Sequence, residues 1–230
     1  MTTAINIKIV SDTVCPWCYV GKKRLERGIS LFRTAHPNQP VQFNTTWSPF
    51  YLDPTAPLEG EDKQERYARR FGSQRTAMMF QRLAQIGKDE GIDFKFGGRT
   101  GNTRDSHRLV QLGKTKGPEM QTRVIEELFA AYFENERDIT SRDVLREAGL
   151  KAGLEEKEVE QWLGSDEGGE AVDKEVEEAQ EGFISGVPYF SVEGRYHLEG
   201  AQEPEAFVDV FERILTQKGE KADGKAGESC

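Results

Sequence analysis

Ser11-Asp12-Thr13-Val14-Cys15-Pro16-Trp17-Cys18-Tyr19-Val20 is the stretch that decides the fold. Just before it, Ile5-Asn6-Ile7-Lys8-Ile9-Val10 alternates apolar and polar residues, the period of a half-buried strand. Just after it, residues 18–34 read as a helix, with Leu25, Ile29 and Phe32 sharing a face with Tyr19 or Val20. His36-Pro37-Asn38 ends that helix. Val41 to Trp47 alternates again, so the chain opens β-α-β with Cys15 and Cys18 at the first strand-to-helix junction.

That placement has a chemical meaning. A disulfide exchanger needs one sulfur that is thiolate near neutral pH and a second thiol within its reach. At a helix start, Cys15 faces the first unpaired backbone N–H groups, which favour its anion over a free cysteine's. Pro16 suits the first helical turn, where its missing donor is not needed. Cys18, one turn further in, is placed to attack a mixed disulfide on Cys15 and release the substrate. Trp17 brings no cation to push the thiolate to the acidic extreme. Zinc is the competing use of such a pair and needs a second Cys or His pair at metal spacing. His36, His107 and His197 are scattered, so no metal is expected. Cys230, at the end of the chain, is expected to be inert.

Further along, the composition changes. Residues 54–182 are rich in Glu, Lys, Arg, Gln and Ala, all good helix formers. Helices are predicted at 62–71, 73–90, 103–115, 118–135, 141–151, 155–163 and 167–182, with 93–98 as a loop holding a short extended piece. Met78 and Met79 read as core packing, and so does Trp47. Strands return at 188–192 and 195–198, flanking a Glu193-Gly194 hairpin turn. Glu203-Pro204-Glu205 opens a last helix with Phe207, Val210, Phe211 and Ile214 as its apolar stripe. The order β-α-β, helical insert, β-β-α predicts an α/β thioredoxin fold split by a large α-helical insertion. Its thioredoxin part spans 1–53 and 183–218, the insertion 54–182, and a disordered tail 219–230.

The bulk properties narrow the function. The chain has 230 residues, 36% hydrophobic and 31% charged, with a net charge of −9. An acidic surface disfavours nucleic acid and anionic membrane as partners, since both call for a basic footprint. No apolar run approaches a membrane span. The N-terminal residues carry no secretory or transit signal, so the cytoplasm is the expected compartment. Three cysteines are too few for a disulfide-stapled scaffold.

Ser11 to Leu25 resembles the opening of the DsbA family and, within it, the FrnE-like branch of polyketide-biosynthesis dithiol-disulfide isomerase type. Further resemblances lie in Trp47-Ser48-Pro49-Phe50-Tyr51-Leu52-Asp53-Pro54, Asn102 to Leu109, Leu128 to Phe133 with Arg137-Asp138-Ile139, Gly186-Val187-Pro188-Tyr189-Phe190 and Gly200-Ala201-Gln202. They extend to about residue 216. The resemblance implies redox chemistry at Cys15 and Cys18. It also implies kinship with kappa-class glutathione transferases and 2-hydroxychromene-2-carboxylate isomerases, which carry Ser where this chain has Cys15.

Pro188 opens the strand after the insertion, where thioredoxin-fold oxidoreductases place a cis-proline opposite the cysteines. Val187 would then offer its backbone to an extended substrate. Trp17, Asn102, Thr103 and His107 are expected to line the cleft over Cys15, although a packing role for His107 competes with that. The predicted function is thiol–disulfide exchange with protein or small-molecule thiols, without a tightly bound cofactor. Glutathione is a candidate co-substrate along Cys15, Val187, Pro188, Ala201 and Gln202. A kappa-like glutathione-dependent transferase or isomerase, and a non-catalytic chaperone-like partner, are the alternatives.

Overall fold

The computed structural model describes residues 3–226, with side chains described through residue 217. The first strand, β1 (Thr3–Ser11), runs parallel to β2 (Val41–Pro49), with Ile7 opposite Thr45 and Ser11 opposite Pro49. Between them lies α1 (Pro16–Ala35), whose Leu25 and Phe32 are buried on its inner face. After the insertion come β5 (Tyr189–Val192) and β6 (Tyr196–Glu199), both antiparallel to their neighbours, and then α9 (Pro204–Ala226). The sheet order is β2-β1-β5-β6, a mixed sheet that puts β1 in its interior. Ile5, Ile7 and Ile9 of β1 are buried, as the alternation predicts. The hairpin turn has positive φ at both Glu193 and Gly194, the geometry whose twist matches the flanking strands.

The insertion begins with a two-residue strand, β3 (Glu61–Asp62), paired with β4 (Arg99–Thr100). Between them are α2 (Lys63–Phe71) and α3 (Ser73–Asp89). The side chain of Asp62 caps α2 by accepting from Glu65 N–H at 2.9 Å. There follow α4 (Arg104–Thr115), α5 (Pro118–Phe129), a wider π turn over Ala130–Glu134, α6 (Arg142–Ala152), α7 (Glu156–Gly164) and α8 (Gly169–Glu181). One apolar core runs from Ile7, Phe190 and Phe211 through Trp47 into Leu109, Leu128 and Val159. The insertion therefore shares the core of the sheet.

Trp47, expected in the core, is buried there at the edge strand β2. Its backbone N–H donates to Gln121 Oε1 at 3.0 Å, and its carbonyl accepts from Gln121 Nε2 at 2.9 Å. The Gln121 amide on α5 thus stands in for a missing neighbouring strand. Two expectations need correction. Met78 is 66% exposed, because α3 turns Thr76, Leu83 and Gly87 inward and leaves Met78 on the outer face; Met79 is only partly buried. The last helix runs to Ala226, within the 219–230 stretch expected to be a tail. Cys230 lies outside the described residues.

Candidate active site

The cysteines sit where β1 hands over to α1. Cys15 is the N-cap residue of α1, with φ −90° and ψ 111°, and Pro16 opens the helix. Asp12 O accepts from Cys15 N–H at 3.0 Å and closes the turn. Thr13 Oγ1 and Ser106 Oγ lie 2.7 Å apart, and Ser106 donates to Thr103 O, which ties the turn to the start of α4. Cys18 N–H donates to Cys15 O at 3.0 Å, one helical turn in. Both sulfurs are thiols and both residues are buried. Burial is the first cause that raises the Cys18 thiol well above its usual range, followed by the hydrogen bond and charge of Cys15. Cys18 therefore keeps its proton at neutral pH.

Across from Cys15 lies the loop before β5. The Val187–Pro188 peptide is cis, and Cys15 Sγ is 3.6 Å from Val187 O. Gly21 makes room for this approach. A Cβ there would stand 3.0 Å from Pro188 Cγ and 3.1 Å from Phe190 Cζ.

Over Cys15 opens a cavity of about 270 Å³. Trp17, Val187 and Thr103 line it, in keeping with their expected places, together with Val14, Leu52 and Phe80. The π turn supplies Tyr132 and Phe133 to the same wall. It ends a helix whose last carbonyls need donors from elsewhere. Lys63 Nζ reaches Tyr132 O at 3.1 Å, and Lys95 N–H reaches Phe133 O at 2.7 Å. Lys63 is 4% exposed, and burial lowers its ammonium to about 8.

The family model of the DSBA-like thioredoxin domain matches residues 6–212. The chain belongs to that family. It is 26% identical over 231 residues to the uncharacterized protein YwbO of Bacillus subtilis, covering 94% of this chain and 98% of that protein. The crystal structure of a probable DsbA oxidoreductase from Streptomyces coelicolor superposes with a TM-score of 0.79 at 25% identity, covering 92% of this chain and 90% of that one. The fold is shared more distantly with a 2-hydroxychromene-2-carboxylate isomerase, at TM-score 0.58, 15% identity and 98% and 100% coverage. It is shared likewise with the cytosolic disulfide reductase DsbM of Pseudomonas aeruginosa with GSH, at TM-score 0.53, 16% identity and 92% and 99% coverage.

Within this DSBA-like frame, other predicted residues fall away from the sulfur. His107 is buried outside the cavity lining, with Nε2 3.3 Å from Asp12 Oδ1 and 3.2 Å from Phe50 O. The carbonyl of Phe50 needs a donor, which assigns the proton to Nε2. Asp12 Oδ2 accepts from Leu52 N–H at 2.8 Å, so His107 and Asp12 together pin the segment after β2 against the cysteine turn. Asn102 accepts from Arg104 N–H at 2.9 Å and is also outside the lining. The Gly200-Ala201-Gln202 segment adjoins the cis-proline, because Gly200 N–H donates to Pro188 O at 2.8 Å. Gln202 is exposed and folds back on Glu199 O, while Ala201 O accepts from Arg24. Sequence reading missed Asp12 and Lys63, the two buried charged residues of the cavity wall. Among the described residues, no group of three or more His, Cys, Asp and Glu is placed to hold a metal ion, and no helix is long and apolar enough to cross a membrane.

Proposed function

We propose that the protein is a cytoplasmic dithiol–disulfide oxidoreductase or isomerase of the FrnE-like branch, with Cys15 as nucleophile and Cys18 as resolving thiol. The observation that carries this reading is the asymmetry of the pair. Cys15 caps the helix and faces both Val187 O and the cavity, whereas Cys18 is buried behind it with its proton held. The Cys15 thiolate attacks one sulfur of a substrate disulfide; that bond breaks, and the leaving sulfur takes up a proton. Cys18 then gives up its proton, attacks the Cys15 sulfur and frees the second substrate thiol. One substrate disulfide is reduced to two thiols, and the two protein thiols are oxidised to a disulfide. Run in reverse, the same steps oxidise a substrate. Val187 and Pro188 would position the substrate beside the sulfur, and Trp17 and Thr103 would flank it.

The test equilibrates the protein in glutathione redox buffers and reads the Cys15–Cys18 state by alkylation and mass. A single two-electron transition is expected. A potential near that of thioredoxin, about −270 mV, would make it a reductant, and a much more oxidising one an oxidant or isomerase. Failure to form the disulfide at any ratio would leave the chaperone-like alternative.

Glutathione as co-substrate is a second reading. It is favoured by the hydrogen bond between Gly200 and Pro188, which ties the segment before α9 to the cis-proline loop. DsbM, which shares the fold, is described with GSH. Against it, Glu203 follows Gln202 at the start of α9, where a second carboxylate would repel a glutathione carboxylate, and it pairs with Arg24 at 2.7 Å. Calorimetry of the Cys15→Ser variant with reduced glutathione decides, and no heat at millimolar ligand would remove this reading.

A further inference from the structure

We propose that the cavity over Cys15 takes a small thiol or disulfide with an apolar body and one carboxylate, and that Lys63 is the group that binds the carboxylate. The inference rests on the redox reading above and adds the class of substrate.

Lys63 is the anomaly of the cavity. It is buried in the wall, its Nζ sits 3.7 Å from the centre of the Tyr132 ring, and it donates to Tyr132 O. Among the described residues no carboxylate comes within ion-pair distance of it; Asp62 and Glu136 act on it only through space. A buried cation without a counterion is costly, and such groups are retained where they have a use. An ammonium has three donors, and one hydrogen bond to a carbonyl leaves the others for a ligand.

The other cations of the wall are already engaged. Arg66 holds Asp53 at 2.5 Å and also pairs with Glu61; Arg70 shares Asp53 at 3.0 Å; Lys95 pairs with Asp93 at 3.6 Å. The two carboxylates of the wall are engaged too, Asp53 by those arginines and Asp12 by Leu52 N–H and His107. With Glu61 and Asp93 counted beside Asp12 and Asp53, the four cations of the wall meet four carboxylates, and Lys63 is the cation that none of these four pairs. The free charge for an anion in this cavity is therefore the Lys63 ammonium.

The rest of the wall says what the anion is attached to. Leu52, Phe80, Leu83, Phe96 and Phe133 make it apolar and largely aromatic, which suits a flat or branched hydrocarbon body. At about 270 Å³ it is just below the usual range for small-molecule sites, about 300–1,000 Å³.

The test uses two thiols that differ only in charge, 4-mercaptobenzoate and 4-mercaptobenzamide, titrated into the reduced full-length protein by calorimetry. With no disulfide present, binding is read without any redox step. The wild type should bind the carboxylate at least about tenfold more tightly than the amide, as a charge-assisted hydrogen bond in a buried site implies. Lys63→Met should erase that preference while keeping the amide's affinity, and Lys63→Arg should keep part of it. Equal affinity of the wild type for the two probes, or binding of neither, would overturn the inference, as would a preference that survives in Lys63→Met. Oxidation of the Cys15–Cys18 pair by the disulfide of each probe is followed in parallel. Selective binding without that exchange would sink the redox reading alone; exchange without selectivity would sink only the assignment of Lys63.

Discussion

Replacing Lys63 with Met should stabilise the protein at neutral pH and remove a rise in stability on the alkaline side. In the folded chain Lys63 loses its proton near about 8, against 10.5 for an ordinary lysine. Between those values the unfolded chain binds one proton more than the folded one, so stability rises with pH by about 1.4 kcal/mol per unit. Below that window both states are protonated, and burying the ammonium costs the whole difference, about 3 kcal/mol. Met removes this cost but gives up the bond to Tyr132 O and the contact with its ring, about 1–2 kcal/mol together. The net expectation is a gain of about 1–2 kcal/mol at pH 7. By about pH 9.5 the wild type has recovered about 2 kcal/mol, so the gain should vanish or reverse. Urea unfolding of both proteins at the two pH values measures it, since thiol and tyrosine ionisations common to both cancel. A difference that is the same at both pH values would refute the reasoning, because Lys63 would then not be buried as a charge.

Other perturbations probe the remaining parts. Cys15→Ser should abolish reduction of insulin disulfides, whereas Cys18→Ser should accumulate mixed disulfides on Cys15 that mass spectrometry detects; two variants with wild-type turnover would place the chemistry elsewhere. Gln121→Leu strips the donor and acceptor from the buried backbone of Trp47 and should cost about 2–4 kcal/mol in urea unfolding, with faster amide exchange along β2. Gly21→Ala pushes a methyl against Pro188 and Phe190, an overpacking cost of about 1–3 kcal/mol that outweighs a helix-propensity gain of up to about 1 kcal/mol. Its melting temperature should fall by about 2–4 °C, and an unchanged value would mean the cysteine loop yields freely.

Elements with a strong period were legible. The alternation of Ile5, Ile7 and Ile9 located β1, and the seven helical stretches of the insertion lie close to their predicted bounds. The cysteine pair and Pro188 could be proposed from sequence because their chemistry is local to a short motif. What escaped has no period or is local to nothing. The strands Glu61–Asp62 and Arg99–Thr100 are two residues long and exist only because they meet each other. The π turn at Ala130–Glu134 continues the helix before it with residues that carry no break signal. Lys63 stands in Asp62-Lys63-Gln64-Glu65-Arg66, a run that reads as a solvated helix face, and only the approach of Tyr132 from a distant part of the chain buries it. His107 was placed on the right helix, but its partner Asp12 comes from the turn before Cys15, a pairing that sequence spacing does not encode.

The division of labour in the cavity follows the division of the chain. The Cys15 and Cys18 sulfurs, the turn that holds them, the N-terminus of α1 and the Val187–Pro188 loop all come from the β1-α1 and β5 segments. Most of the wall that a substrate would meet comes from the insertion: Lys63, Tyr67, Phe80, Phe96, Thr103 and Tyr132. The insertion is not a separate lid, since Trp47, Leu128 and Phe129 join it to the sheet in one core. A substitution on α2 or α3 can therefore change charge and shape over Cys15 while leaving the backbone around both sulfurs in place. On the proposed reading, substrate choice and thiol chemistry can then vary independently on this scaffold, with Lys63 on the side of choice.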